Sequence, residues 1–280
     1  MTISLLTIVK NRAGHLAQLV EGLRRSATLP TELIIVDMGS DAPVHVGETP
    51  FPVQILHCDQ PGLPLAAARN MAARAAIGDT LLFLDVDCIP MRALIGTIAA
   101  VAAEQDALIC AEILYLGPDD ARGDWDEADL MQRAAGHPVR LFPAQGVRQE
   151  HNAGLFWSLA FAIRRDRFFA LNGFDEGFTG YGAEDTDFGF RAQAAALPLL
   201  FLGGAGAFHQ YHAIFDPPLQ HLDDIVRNAR LFHQRWQFWP MDGWLTAFER
   251  AGLVARSQDS IAILRHPDKD EIDRARVLPI

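Results

Sequence analysis

The feature that most constrains this chain is an alternation. Over the first hundred residues, apolar runs of strand length are interleaved with one-faced helical patterns, and the runs end in polar residues. Ile3 to Val9 is the first run and leads into Lys10-Asn11-Arg12. Leu16, Leu19, Val20 and Leu23 follow at helical spacing. Glu32 to Val36 is a second strand ending at Asp37, and Val53 to Leu56 is a third. The alanine-rich stretch Leu65 to Ile77 reads as a helix closed by Gly78, and Thr80 to Leu84 is a fourth strand ending at Asp85. Strands that are apolar throughout must be covered on both faces, so the pattern predicts a mostly parallel α/β sheet with helices on either side. Ligands of such sheets bind beyond the carboxyl ends of the strands.

Beyond residue 100 the pattern is less regular. Gly117 to Glu150 is polar and rich in aspartate, and reads best as a solvated acidic face. Phe156 to Ile163 has strand character, Glu184 to Ala196 reads as a helix ended by Leu197-Pro198, and two short strands flank Gly203-Gly204. From Pro217 onward the pattern turns helical, with Phe232, Trp236, Trp239 and Trp244 as anchors expected to pack on the rest of the protein. The simplest organisation is a domain over residues 1–212 with a helical C-terminal extension over 213–280. No run of about 18 apolar residues suggests a membrane span, and no signal segment is read at the N-terminus. Three widely spaced cysteines read as reduced and buried, so a cytoplasmic protein is expected. The formal charge of −11 argues against a nucleic-acid partner, which needs a basic surface. An acidic protein that handles a phosphorylated small molecule must supply local positive charge, and a bound divalent cation does so.

Three motifs carry chemistry. In Leu84-Asp85-Val86-Asp87-Cys88 the two aspartates are two apart, which in an extended segment points both carboxylates to one side. Oxygen ligands of this kind suit Mg²⁺ or Mn²⁺ and the diphosphate oxygens that accompany them. Arg69-Asn70 upstream offers a cation and an amide to phosphate or ribose. In the second motif, Gly173 to Gly182 precedes Glu184, Asp185 and Asp187 in the first turn of a helix. Capping accounts for one or two of these carboxylates; the glycine- and aromatic-rich loop suits a sugar. In the third, His209 follows a strand and would complete a metal site begun by Asp87, with His212 as the competing candidate.

Together, Thr7, Lys10-Asn11-Arg12, Asp37 to Ser40, Ala66 to Asn70, Asp85-Val86-Asp87 and Gly182 to Asp185 resemble a family 2 glycosyltransferase of the GT-A fold, a Rossmann-related architecture. Asn172 to Arg191 is similar to the C-terminal motif of galactosyltransferase-type enzymes. The resemblance covers about residues 3 to 212. It implies that Thr7, Asn11, Arg12, Asp37, Arg69, Asn70 and Asp85 contact the donor, usually a uridine nucleotide-sugar such as UDP-galactose. Asp87 and His209, with Asp85 nearby, would bind Mn²⁺ or Mg²⁺. Asp185 would be the catalytic base for attack by an acceptor hydroxyl, and Glu184, Tyr181 and Gly182 would meet the acceptor. Tyr181 stands where these enzymes commonly have Trp. The competing readings are a sugar nucleotidyltransferase and an inactive sugar-binding relative. The first wants a richer glycine- and lysine-containing loop after the first strand, and the second has no need of an intact carboxylate set.

Overall fold

The computed structural model describes residues 1–277. All seven residues of β1 (Ile3–Val9) are buried, because the strand lies inside the sheet with helices on both faces. Ile3, Leu5 and Val9 face one side, where α1 (Ala13–Arg24) lays down Leu16, Leu19, Val20 and Leu23. Leu6 and Ile8 face the other, with Ile34 and Val36 of β2 (Glu32–Asp37). β3 (Val53–His57) lies at the sheet edge and is only half-buried. The alanines of α2 (Leu65–Ala75) let that helix sit close on the Leu6 face. β4 (Thr80–Leu84) completes the first half.

The helix before β4 ends earlier than the sequence suggested. Ala76 is already extended, and Gly78 is not the cap. A Cβ on Gly78 would come 2.6 Å from the Ser4 backbone nitrogen, so glycine is there for close approach to β1.

The second half consists of β5 (Cys88–Pro90), α3 (Leu94–Glu104), β6 (Leu108–Tyr115), α4 (Glu127–Arg133), β7 (Ala135–Gly136), β8 (Gly146–Glu150), β9 (Ala160–Arg164), α5 (Arg165–Ala170), α6 (Glu184–Ala194) and β10 (Leu199–His209). The sheet runs β3-β2-β1-β4-β9-β6-β10-β5. The first four strands are parallel, as the alternation requires. β9 then enters antiparallel to both β4 and β6, and β6 and β10 are parallel. The two short strands expected around Gly203-Gly204 are one strand, β10, whose register against β6 shifts between Leu202 and Gly206. In the acidic stretch, α4 is capped by Asp126 and anchored by buried Leu130, while most of the surrounding carboxylates stay exposed.

The last part contains β11 (Ile214–Phe215), α7 (Leu222–Trp236), α8 (Asp242–Arg250), β12 (Val254–Arg256), β13 (Ile261–Ile263), α9 (Lys269–Arg274) and β14 (Arg276–Val277). It is not purely helical: β12 pairs with β13, and β11 with β14. Phe232 is fully buried against Phe178 and Ala183 of the loop before α6. Among the described residues no helix is long and apolar enough to cross a membrane.

Candidate active site

β1, β2 and β4 are parallel, so the loops after them open on the same end of the sheet. After β1 and β2 these loops form a closed hydrogen-bond ring. Asp37 accepts from the Ser40 amide at 2.9 Å and the Ser40 hydroxyl at 2.7 Å. The Asn11 amide donates to the Ser40 hydroxyl oxygen at 2.9 Å, and the Asn11 side chain exchanges two hydrogen bonds with Asp41. Asn11 takes a left-handed φ of 54° to do this. Thr7 is buried beneath, its hydroxyl without a partner. The ring fixes the crevice wall that the resemblance assigns to the base and ribose. Arg12 opens α1.

The segment after β4 departs from expectation. Residues 85–88 form a tight turn, with the Cys88 amide donating to the Asp85 carbonyl at 2.9 Å. An extended segment would have pointed Asp85 and Asp87 to one side; the turn separates them. Asp85 goes to Arg69, whose guanidinium is 3.3 Å away. Asp87 goes to the end of β10, where its oxygens lie 3.6 Å from His209 Nε2 and 3.2 Å from His212 Nε2. The residues placed so that they could hold a metal ion are thus Asp87, His209 and His212, with candidate ligand atoms all within 4.8 Å of one another. Asp85 is outside this group, and His212 and His209 both lie within reach of Asp87.

This donor set fits a divalent cation. One Asp87 oxygen is buried without any hydrogen-bond partner, which is costly unless a cation meets it. Burial works to raise the Asp87 carboxyl, yet His209, His212 and Arg12 hold it well below the usual range, so it is ionised. Burial lowers His209, with Asp87 pulling the other way. The Asp87 carbonyl accepts from the Gln210 amide at 2.7 Å, which pins the turn to the end of β10. His15, which the sequence reading did not single out, stands edge-on to His212 at 6.1 Å.

Arg69 is buried and lies between two carboxylates, Asp85 and Glu184, the latter at 3.1 Å. Burial, then the neighbouring Asp185, pushes Glu184 up to about 7. Burial also raises Asp85 against the attraction of Arg69. Asn70 departs from the expected place against a nucleotide. Its amide is taken up by the second motif, donating to the Phe174 carbonyl at 2.8 Å and to Glu176 at 2.9 Å and accepting from the Phe174 amide at 2.8 Å.

The three carboxylates that open α6 have three environments. Glu184 faces Arg69. Asp185 is partly exposed and accepts weakly from the Ser158 amide at 3.4 Å. Asp187 is fully buried and accepts from Arg191, Arg235 and the Trp236 indole, so it is a structural anchor. The loop before the helix is held from behind by α7. Asn228 donates to the carbonyls of Thr179, Tyr181 and Gly182 at 3.0, 3.3 and 2.8 Å. Gly180, at a φ of +73°, lies where a Cβ would strike the Asp224 carboxylate at 2.1 Å. Tyr181 stacks on His221 at 4.5 Å, and Trp244 lies 5.8 Å away. Asn228, Asp224 and His221 carried no sequence signal, since each acts on a loop some forty positions away.

Known proteins resemble this chain in sequence and in fold. Residues 4–169 match the model "Glycosyl transferase family 2", and residues 145–213 match "N-terminal domain of galactosyltransferase". The validoxylamine A glucosyltransferase of Streptomyces hygroscopicus subsp. limoneus is 27% identical over 214 residues, covering 68% of this chain and 47% of that protein. The uncharacterized glycosyltransferase YwdF of Bacillus subtilis is 35% identical over 98 residues, 31% of this chain and 33% of YwdF. The chain thus spans about half or less of the length of the curated relatives it matches. Among solved structures, S. aureus TarS 1-349 aligns with a TM-score of 0.57 at 15% identity, covering 84% of this chain and 65% of TarS. GalNAc-T7, solved with UDP, GalNAc and Mn²⁺, aligns with a TM-score of 0.57 at 19% identity, covering 75% of this chain and 43% of its own. These likenesses show a shared GT-A fold. With the family model spanning more than half its length, the chain belongs to glycosyl transferase family 2.

Proposed function

We propose that this chain is a metal-dependent, inverting glycosyltransferase that moves a hexose from a uridine nucleotide-sugar to an acceptor hydroxyl. The observation that carries the reading is the pairing of an ionised, under-coordinated Asp87 with two neighbouring histidines, beside a loop that presents Asp185. The fold relatives are in keeping with it: TarS was solved with UDP-GlcNAc, and GalNAc-T7 with UDP and Mn²⁺. UDP-galactose is the first donor to test, given the match to a galactosyltransferase domain.

Asp87, His209 and His212 would hold Mn²⁺ or Mg²⁺, which supplies positive charge to a donor diphosphate and to the departing nucleotide. The Asn11–Asp37–Ser40 ring and Thr7 would receive the nucleoside. Arg69 keeps Asp85 and Glu184 in place against the donor and acceptor. Asp185 would take the proton from the attacking acceptor hydroxyl, a role worth roughly 10² to 10⁴ in rate. A single displacement inverts the anomeric centre. Residues 1–212 would carry this machinery, with 213–280 bracing the acceptor loop. The three buried free cysteines suit a reducing, cytoplasmic setting.

The test is thermal unfolding with UDP, GDP and ADP, each with and without Mn²⁺. Stabilisation by UDP only in the presence of Mn²⁺ is expected; a ligand at a hundred times its Kd stabilises by about 2.7 kcal/mol. A protein indifferent to all three nucleotides in both conditions overturns the reading.

A further inference from the structure

β9 runs antiparallel to β4 and β6, so it is the approach to this strand, not its end, that opens beside the carboxyl ends of its neighbours. Ala160, its first residue, pairs with Leu84, the last of β4. Residues 157–159 therefore lie at the end of the sheet where Asp85, Asp87 and His209 gather. Two backbone bonds fix their place. The Leu159 carbonyl accepts from the Asp85 amide at 2.8 Å, and the Ser158 amide faces the Asp185 carboxylate at 3.4 Å. This short segment spans the gap from the turn that carries Asp87 to the residue proposed as base. In a single displacement the attacking oxygen and the departing phosphate stand on opposite sides of the anomeric carbon. The sugar being moved must then lie between Asp185 and the Asp87 group, along residues 157–159.

Trp157 is the side chain this segment offers. Phe156 before it and Ser158 after it are buried, whereas Trp157 is half-buried. Its inner side is fixed by Arg140, which is caged at 5.0 Å from the Trp157 ring, 5.2 Å from Phe142 and 5.1 Å from Phe201. His137 packs edge-on to it at 4.8 Å, Tyr115 lies 5.9 Å from His137, and Tyr115 in turn lies 5.0 Å from His209. A wall of rings thus joins Trp157 to the histidines that face Asp87. The indoles of Trp125, Trp236 and Trp239 each donate to a protein oxygen, while that of Trp157 has no such acceptor among the described residues. Nor is it one of the sealed-in polar atoms without a partner. An apolar ring with a free N–H at its rim suits a sugar, whose C–H groups pack on the ring while a hydroxyl accepts from the nitrogen.

Building on the proposed function, we propose that Trp157 is a substrate-binding residue that holds the transferred sugar of the donor and sets which sugar is accepted. His137 and Arg140 act behind it by fixing the indole.

The experiment is titration calorimetry with Mn²⁺ on the protein and on Trp157→Ala, using UDP, UDP-galactose, UDP-glucose and UDP-GlcNAc. UDP reports the nucleotide and metal sites alone, so it should bind both proteins within about twofold. The best-bound UDP-sugar should bind at least fivefold more weakly to Trp157→Ala, and the preference among the three sugars should narrow. An unaltered protein that binds none of the four overturns the proposed function and this inference with it. UDP binding with the same ratio of UDP-sugar to UDP affinity in both proteins overturns this inference alone, also where the sugar adds nothing in either. A rise confined to the KM of the acceptor does the same. Trp157→Phe, which keeps a ring without the N–H, should show a smaller loss of at least twofold for the UDP-sugar and none for UDP, and it decides the matter should the alanine variant not fold.

Discussion

Arg69 donates to Glu184 at 3.1 Å and so ties α2 to the first turn of α6 across 115 positions of chain. The same guanidinium reaches Asp85 on the turn after β4. Arg69→Met removes the one cation between two carboxylates. The expected loss is about 3–5 kcal/mol, the cost of leaving buried charge unpaired. Urea denaturation measures it, and adding Glu184→Gln to the same protein should restore part of the loss.

The Glu184 carboxyl also sets a pH dependence. Burial raises it to about 7 in the folded protein, from an ordinary value of 4.5. Between those values the folded state holds a proton that the unfolded state has released. Stability should therefore fall as pH rises from about 4.5 through about 7, because the unfolded chain binds fewer protons there. Asp85 is raised too and contributes in the same direction. Stability measured from pH 4.5 to 8 should show a shallower decline in Glu184→Gln; an unchanged slope removes Glu184 from the account.

Asp185 and Asp187 are two residues apart and should respond in opposite ways. Asp187 is fully buried and holds Arg191, Arg235 and Trp236. Asp187→Asn should cost about 3 kcal/mol or more in unfolding free energy. Asp185→Asn should leave stability within about 0.5 kcal/mol and lower transfer by roughly 10² to 10⁴. A variant of Asp185 that turns over normally excludes it as the base.

In the cation site, Asp87→Ala should abolish the stabilisation conferred by Mn²⁺. His209→Ala and His212→Ala should each weaken Mn²⁺ binding, since both imidazoles face Asp87. Titration calorimetry with Mn²⁺ alone separates the two. If His212→Ala binds the ion as the parent does, His212 is a neighbour and not a ligand.

Asn228→Ala removes the donor shared by three loop carbonyls. The loop should loosen without losing its catalytic groups, so KM for the acceptor should rise several-fold while nucleotide affinity stays constant. Initial-rate kinetics at saturating donor gives the first quantity and calorimetry with UDP the second.

The parallel half of the sheet was legible because each strand carries its own signal: an apolar run, then a polar residue at its carboxyl end. That Asp87 and His209 come close together was legible for a related reason, since both lie at or near strand ends. What the sequence concealed was long-range. The turn at 85–88 that separates the two aspartates is closed by one backbone bond and by Gln210, more than a hundred positions on. Asn70 looked like a nucleotide ligand because of its neighbour Arg69; only the folded Phe174 backbone shows that its amide is occupied. Asp187 is indistinguishable from Asp185 in a string of letters, and the difference is made by Arg235 and Trp236 on α7. Arg140 sits in a polar stretch read as solvated, yet its cage is assembled from Phe142, Trp157 and Phe201, residues on separate segments.

The bracing of the 179–183 loop by α7 separates two kinds of evolutionary change. On the proposed function, substitutions at Glu184 or Asp185 would alter the chemistry itself. Substitutions on the buried face of α7 move the loop's backbone and leave every reacting group intact. On the same proposal, acceptor preference would drift through a helix that need never touch the acceptor, and relatives with identical catalytic residues but divergent C-terminal helices would be expected to glycosylate different molecules.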